Sequence, residues 1–323
     1  MKRFKLIRPV LTTLVIFFLS TFTIYNIPPV QERLGWRVTE LMARIKYALS
    51  PPEEVIFIPQ EGSVSSTIPV PLSSLTETPL PSNAITITSS ATSPALSTPT
   101  KTLTPIPQSI QLTGFQHKYQ TWNNCGPATL GMAVSFWGWD GDQKPIAAFT
   151  KPNPRDKNVM PYEMTAYVEE ETQFMVISRV GGSIDMLRRF IASGMPVIVE
   201  KGFEGADFDG WMGHYVLVTG YNDSDRRFTL QDSYYGPDQV MSYADLESYW
   251  RAFNFTYLVV FPPERQVEIK SILGPHMDEQ YNNRYSSQKA SDDIYTLTGR
   301  DQFFAWFNRG TNLVRLQDYG GAA

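Results

Sequence analysis

The chain has 323 residues and a single cysteine, Cys125, in the stretch "QTWNNCGPATLGM". Gly126 and Pro127 follow it, and proline suits the first turn of a helix. Leu130, Ala133, Val134 and Trp137 then recur at helical spacing, which predicts a helix over 127–137 with a buried body. Cys125 therefore sits at a helix N-terminus. There the aligned peptide dipoles favour negative charge, and so thiolate over thiol. The thiolate is the nucleophilic form, so the placement suits acyl transfer through a thioester. A small buried hydrophobe is the ordinary alternative for a free cysteine.

Such a nucleophile needs a base, and the chain holds three histidines: His117, His214 and His276. His214 opens "GHYVLVTGY", an apolar run in which Val216 and Val218 alternate with Leu217 and Thr219. It follows a segment containing Gly205, Gly210 and Gly213. It thus stands at the mouth of a predicted strand, where a side chain faces a cleft from a rigid support. His117 lies on an entry segment of no clear period, and His276 lies beyond the domain. Asp232, in "FTLQDSYYGP", ends the strand that the "NDSD" turn joins to the strand of His214. Its carboxylate is placed to accept from the imidazole and fix one tautomer; starting the next turn is its plainer role. Gln231 alternates with Asp232 and should point to the other face. Gln120, five residues before Cys125, carries an amide able to donate to an oxyanion beside the Cys125 N–H. Asn123 and Asn124 are rival donors, or turn residues only.

The elements that must hold these residues read as α+β. After the first helix come a short helix near 162–170, a strand near 174–180 and a helix over 183–192. Strands are predicted at 196–203, 214–221 and 227–232, then a helix at 243–251 and a strand at 256–261. "YNDSDRRF" supplies an antiparallel turn. Between Phe203 and His214, the acidic residues Glu204, Asp207 and Asp209 mix with Phe208 and Trp211. This reads as a solvated loop with apolar anchors, or as a lid selecting basic or aromatic substrate residues.

Together, "QTWNNCGPATLGM", "GHYVLVTGY" and "LQDS", in that order, resemble the papain-like cysteine peptidases of family C thirty-nine, the bacteriocin-processing group, in its stand-alone branch. The likeness covers roughly residues 111–264. It implies a papain-like fold, with a Cys-bearing helix packed on an antiparallel sheet. It also implies Cys125 as nucleophile, His214 as general base, Asp232 as its orienter and Gln120 in the oxyanion hole. This chain has Asp232-Ser233 where many family members have Asp-Pro. The founding members are fused to export transporters and cut leaders in the cytoplasm, whereas a single anchor is read here.

That anchor is read at residues 1–27. Lys2, Arg3, Lys5 and Arg8 form a basic head, and no charge appears from Pro9 to Ile27. An apolar run of this length can span a bilayer, with the basic head inside and the remainder outside. The expectation is an uncleaved single-pass anchor and an extracytoplasmic domain; secretion after signal cleavage is the alternative. Residues 28–62 form a juxtamembrane segment. In it Leu34, Val38, Leu41, Met42 and Ile45 predict a short amphipathic helix, lying on the membrane surface, or else solvated or a self-association segment. Residues 63–110 form a linker in which 29 of 48 residues are Ser, Thr or Pro. It buries too little apolar surface to offset its ordering entropy, so disorder is expected, with a span of roughly 40 Å as a flexible coil.

The peptidase-like domain occupies 111–264, and a helical tail 265–323. Trp306, Gly310, Tyr319 and Ala322 of the tail take the places of the first half of a tetratricopeptide repeat; a plain helix hairpin is the alternative. The tail is the expected site for a protein partner. The net charge of −4 gives no footprint for nucleic acid. No cofactor is expected, and no zinc or calcium ligand spacing is present. The expected activity is a membrane-anchored extracytoplasmic cysteine peptidase acting on peptides or proteins. A transglutaminase-like or amidase activity uses the same three residue types, and a non-catalytic peptide-binding scaffold is the third reading.

Overall fold

The computed structural model describes residues 106–323 except 154, 155, 157 and 204–211, together with scattered residues between 16 and 45. The chain divides into two units, residues 1–45 with 106–323, and residues 46–105. Most of the expected anchor at 1–27 lies outside the described residues. Of those described there, Ile16, Leu19 and Ile24 are helical and exposed. Among the described residues no helix is long and apolar enough to cross a membrane. Val38, Leu41, Met42 and Ile45 of the juxtamembrane segment are also helical and exposed. The linker up to Pro105 and the acidic segment 204–211 lie outside the described residues.

From residue 106 the order is β1 Ser109–Gln111, α1 Cys125–Ser135, α2 Gln143–Thr150, α3 Pro161–Glu171, β2 Met175–Arg179, α4 Ile184–Ala192, β3 Val197–Phe203, β4 Met212–Asn222, β5 Arg227–Asp232, β6 Gly236–Ser242, α5 Tyr243–Arg251 and β7 Tyr257–Phe261. The tail follows as α6 Gln266–Leu273, α7 Glu279–Thr296, α8 Gly299–Arg315 and α9 Tyr319–Ala322. The class is α+β, as expected. One antiparallel sheet runs β2-β7-β3-β4-β5-β6, and β1 pairs with β4. β3 pairs with β4 from Met212 to Val218, and β1 takes the same edge from Gly220 to Asn222. The folded unit therefore reaches back before Gln111.

The strand period of two sorts each strand's side chains onto two faces. Val197, Val199, Val216, Val218, Tyr257, Val259 and Phe261 join Leu187, Phe190, Leu246 and Trp250 in one core. Ile198, Tyr215, Leu217, Leu258 and Val260 join Leu130, Val134, Met164 and Val168 in the other. Both faces are covered, so the central strands read as continuous apolar runs. Caps behave as their residue types dictate. Ser183 accepts from the Met186 N–H, Ser242 from Asp245 and Asp278 from Tyr281. β1, α2 and β6 were not among the sequence expectations.

The tail docks through buried polar groups. Asn282 of α7 grips Val180 twice: its amide oxygen accepts from the Val180 N–H at 3.2 Å and its amide nitrogen donates to the carbonyl at 2.9 Å. Lys289 donates to the Gly182 carbonyl, and Asn254, Ser286 and Asn312 bond to one another. Gly181, at φ +70°, permits this approach, because a Cβ there would stand 2.9 Å from the Ser286 Cβ. The repeat-like positions divide. A Cβ on Gly310 would meet the Ala322 carbonyl at 3.6 Å, whereas Trp306 and Tyr319 are 55% and 66% exposed.

Asn282→Ala leaves both polar groups of a buried valine without their partner, which costs about 1–3 kcal/mol. Urea unfolding should show that loss. A change below about 0.5 kcal/mol would mean that the two Asn282 bonds to Val180 add nothing to stability.

Candidate active site

α1 begins at Cys125 itself, two residues earlier than its apolar pattern indicated. The Cys125 N–H is thus a first-turn donor with no intrahelical partner. Thr129 lies one turn on, and its hydroxyl donates to the Tyr215 carbonyl at 3.0 Å. Residues four apart share a helix face, and Tyr215 adjoins His214. That bond therefore sets the helix of Cys125 in register with the strand of His214. Gly126 packs closely here, and a Cβ would stand 3.1 Å from the Val159 Cβ, so Val159 would have to give by a few tenths of an ångström.

His214 and Asp232 sit on neighbouring strands and are 2% and 3% exposed. His214 Nε2 lies 2.9 Å from Asp232 Oδ1. The same Oδ1 accepts the N–H groups of Tyr234 at 2.8 Å and Tyr235 at 3.0 Å. Burial alone would raise the carboxyl's pKa. The charge and hydrogen bond of His214, with the two N–H groups, overcome it and hold Asp232 down to about 2. Burial likewise opposes the imidazolium, but the charge and hydrogen bond of Asp232, and then Cys125, raise His214 to about 9.

With Nε2 committed to Asp232, Nδ1 is the nitrogen left for the thiol. Burial disfavours the Cys125 thiolate. The hydrogen bond and charge of His214, helped by the backbone N–H groups of Tyr215 and Gly126, outweigh that and lower its pKa. The lowered Cys125 pKa and the raised His214 pKa both favour passing the thiol proton to the imidazole.

Gln120 is held by Ser233. The Ser233 carbonyl accepts the Gln120 N–H at 2.9 Å, and the Ser233 hydroxyl donates to Gln120 Oε1 at 2.8 Å. With its oxygen occupied, the Gln120 amide keeps its N–H₂ as the group left to donate. One rival donor is occupied and the other serves the turn. Asn124 Nδ2 bonds Thr121 Oγ1 at 2.6 Å, and Asn123 adopts φ 54°, which asparagine tolerates. Gln231 bonds Thr219 and Asp238 instead, consistent with the opposite face. His117 packs edge-on against Tyr119, and His276 bonds Asn282 in the tail. The role of Ser233 was not foreseen; its only trace in sequence is a hydroxyl where the resembled family commonly has proline. Among the described residues no cluster of three His, Cys, Asp or Glu could hold a metal ion.

Residues 105–258, which include all four of these side chains, match the model of the Peptidase_C39 like family. Among solved structures the chain is similar to xylellain, a cysteine protease from Xylella fastidiosa. Identity is 14% over 49% of this chain and 87% of that one, with a TM-score of 0.38. It is also similar to the peptidase domain of Streptococcus ComA, at 17% identity over 43% and 92%, TM-score 0.34. A double glycine motif protease from an AMS/PCAT transporter, in complex with the leader peptide, gives 13% over 47% and 94%, TM-score 0.37. No curated protein sequence matches the chain.

The raised His214 pKa contributes stability fully below its ordinary 6.5, and that contribution is lost as pH rises through about 9. The lowered Asp232 pKa contributes above its ordinary 3.8, and that contribution is lost as pH falls through about 2. The melting-temperature gap between the native chain and Asp232→Asn should therefore be widest between those two ordinary values. It should narrow on either side. A gap independent of pH would contradict the ion pair.

Proposed function

We propose that the chain is a cysteine peptidase of papain-like fold and a member of the Peptidase_C39 like family, with Cys125, His214, Asp232 and Gln120 as its catalytic residues. The observation that carries this is the buried 2.9 Å contact of His214 Nε2 with Asp232 Oδ1, which leaves the other ring nitrogen to Cys125. In this reading the thiolate attacks a peptide carbonyl. The oxyanion takes hydrogen bonds from the Gln120 amide and the Cys125 N–H. His214 passes its proton to the leaving amine and Asp232 keeps the imidazole oriented. A thioester remains; His214 then draws a proton from water, which attacks it and releases the acid. All groups come from the chain, so the route needs no cofactor.

Digestion of a peptide library by the intact chain tests the reading. Cleaved products should appear, and Cys125→Ala should abolish them without unfolding the protein. Gln120→Ala should lower kcat by about 10²–10³-fold. Ser233→Ala should lower it less, with KM nearly unchanged. Thiol reactivity without peptide cleavage, but with amide or acyl-transfer products, would favour the amidase or transglutaminase-like reading.

We also propose that residues 1–27 anchor the chain with its catalytic domain outside the cytoplasm, on a Ser/Thr/Pro-rich stalk. The basic head followed by an uncharged run supports this. The exposed Phe303, Trp306 and Phe307 of α8 support a protein partner at the tail. Protease added to intact spheroplasts should cut the stalk and release a domain-sized fragment. Cutting only after permeabilisation would reverse the orientation.

A further inference from the structure

α2 takes no part in the chemistry above, yet both its ends reach the segment that delivers the nucleophile. At its start, Gln143 is buried and brackets Gln120. Its Oε1 accepts the Thr121 N–H at 2.8 Å and its Nε2 donates to the Tyr119 carbonyl at 2.8 Å. At its end, Lys151 donates from Nζ to the Asn123 carbonyl at 2.7 Å. Asn123 is the left-handed residue of this segment, and two residues later the chain enters α1 at Cys125. The Asn124 N–H and amide both fold back onto Thr121. The turn is therefore tied from outside by Lys151 and from inside by Asn124.

We propose that α2 is a clamp on the oxyanion segment and that Lys151 is a positioning residue for the nucleophile. Its ammonium pins the Asn123 carbonyl, holds the left-handed turn and fixes the direction of the Cys125 N–H. It also brings a positive charge to the turn that leads into Cys125. This rests on the reading of Cys125 as nucleophile.

Lys151 feels the charge of Cys125. Burial lowers the Lys151 pKa, while the Cys125 thiolate and Asp156 act to raise it. Among the described residues, His214 from β4 is the cation that acts most strongly on Cys125. A lysine serving only to cap a surface turn would tie down a carbonyl without feeling the thiolate.

Iodoacetamide is a clean reagent for the test, because it is uncharged and the chain has one cysteine. The alkylation rate of the full chain is followed against pH for the native protein, Lys151→Met and Lys151→Arg, with melting temperatures measured alongside. The expected result is a native midpoint well below that of a free thiol. For Lys151→Met the midpoint should rise by about half a pH unit or more, since one nearby charge in a partly screened site is worth that much. Lys151→Arg should restore most of the shift, and melting should stay within about 3 °C. A native midpoint that is lowered but unchanged in Lys151→Met overturns the role of Lys151 alone. A native midpoint at the free-thiol pH sinks the nucleophile reading and the Lys151 role with it. A Lys151→Met that melts far lower and is not restored by arginine marks an ordinary folding contact, and also overturns the proposal.

Discussion

The buried contact between His214 and Asp232 is the constraint around which the fold is arranged. An imidazole and a carboxylate, each almost wholly removed from water, carry a large desolvation cost. That cost is offset by hydrogen bonds to the carboxylate. Asp232 Oδ1 takes three donors: the histidine and the N–H groups of Tyr234 and Tyr235. The rings of Phe203 and the two tyrosines close over the pair. Helices cover both faces of the sheet, so the strands that hold the pair apart from solvent cannot slide without emptying a core. The same dryness gives the histidine's positive charge its reach to Cys125.

Much of this was legible in the residues. Cys125 before Gly-Pro, His214 at the head of an apolar run and Asp232 at the end of the next strand are local signals, and local signals survive in sequence. The central strands were visible because both faces are buried, which leaves uninterrupted apolar runs. β6, "GPDQVMS", was not visible: it is a polar edge strand, exposed on much of its length and defined by its partner β5 rather than by its own pattern. α2 was hidden by its shortness and by an internal proline that sits harmlessly in the first turn. Ser233 and Lys151 had no signature, because each gains its meaning only from a group far away in sequence, Gln120 in one case and Asn123 in the other.

The tail illustrates the limit from another side. Its four repeat-like residues are set by spacing along one helix and the start of the next. Its docking is set by Asn282, Ser286, Lys289 and Asn312, residue types that a hydrophobicity pattern treats as solvent-facing. Buried amides of this kind demand exact partners, so they specify one docking geometry more sharply than an apolar seam of equal area would.

The solitary cysteine has a chemical consequence. A thiolate is also the form that oxidants attack, and the first product is a sulfenic acid. Enzymes with a neighbouring thiol trap that product as an internal disulfide and are later reduced back. Here no second cysteine exists anywhere in the 323 residues. Recovery of oxidised Cys125 thus depends on a thiol supplied from outside the chain. Without one, further oxidation carries it to the sulfinic state and the protein is spent. The chemical state of Cys125 is therefore set by its redox surroundings as much as by its fold.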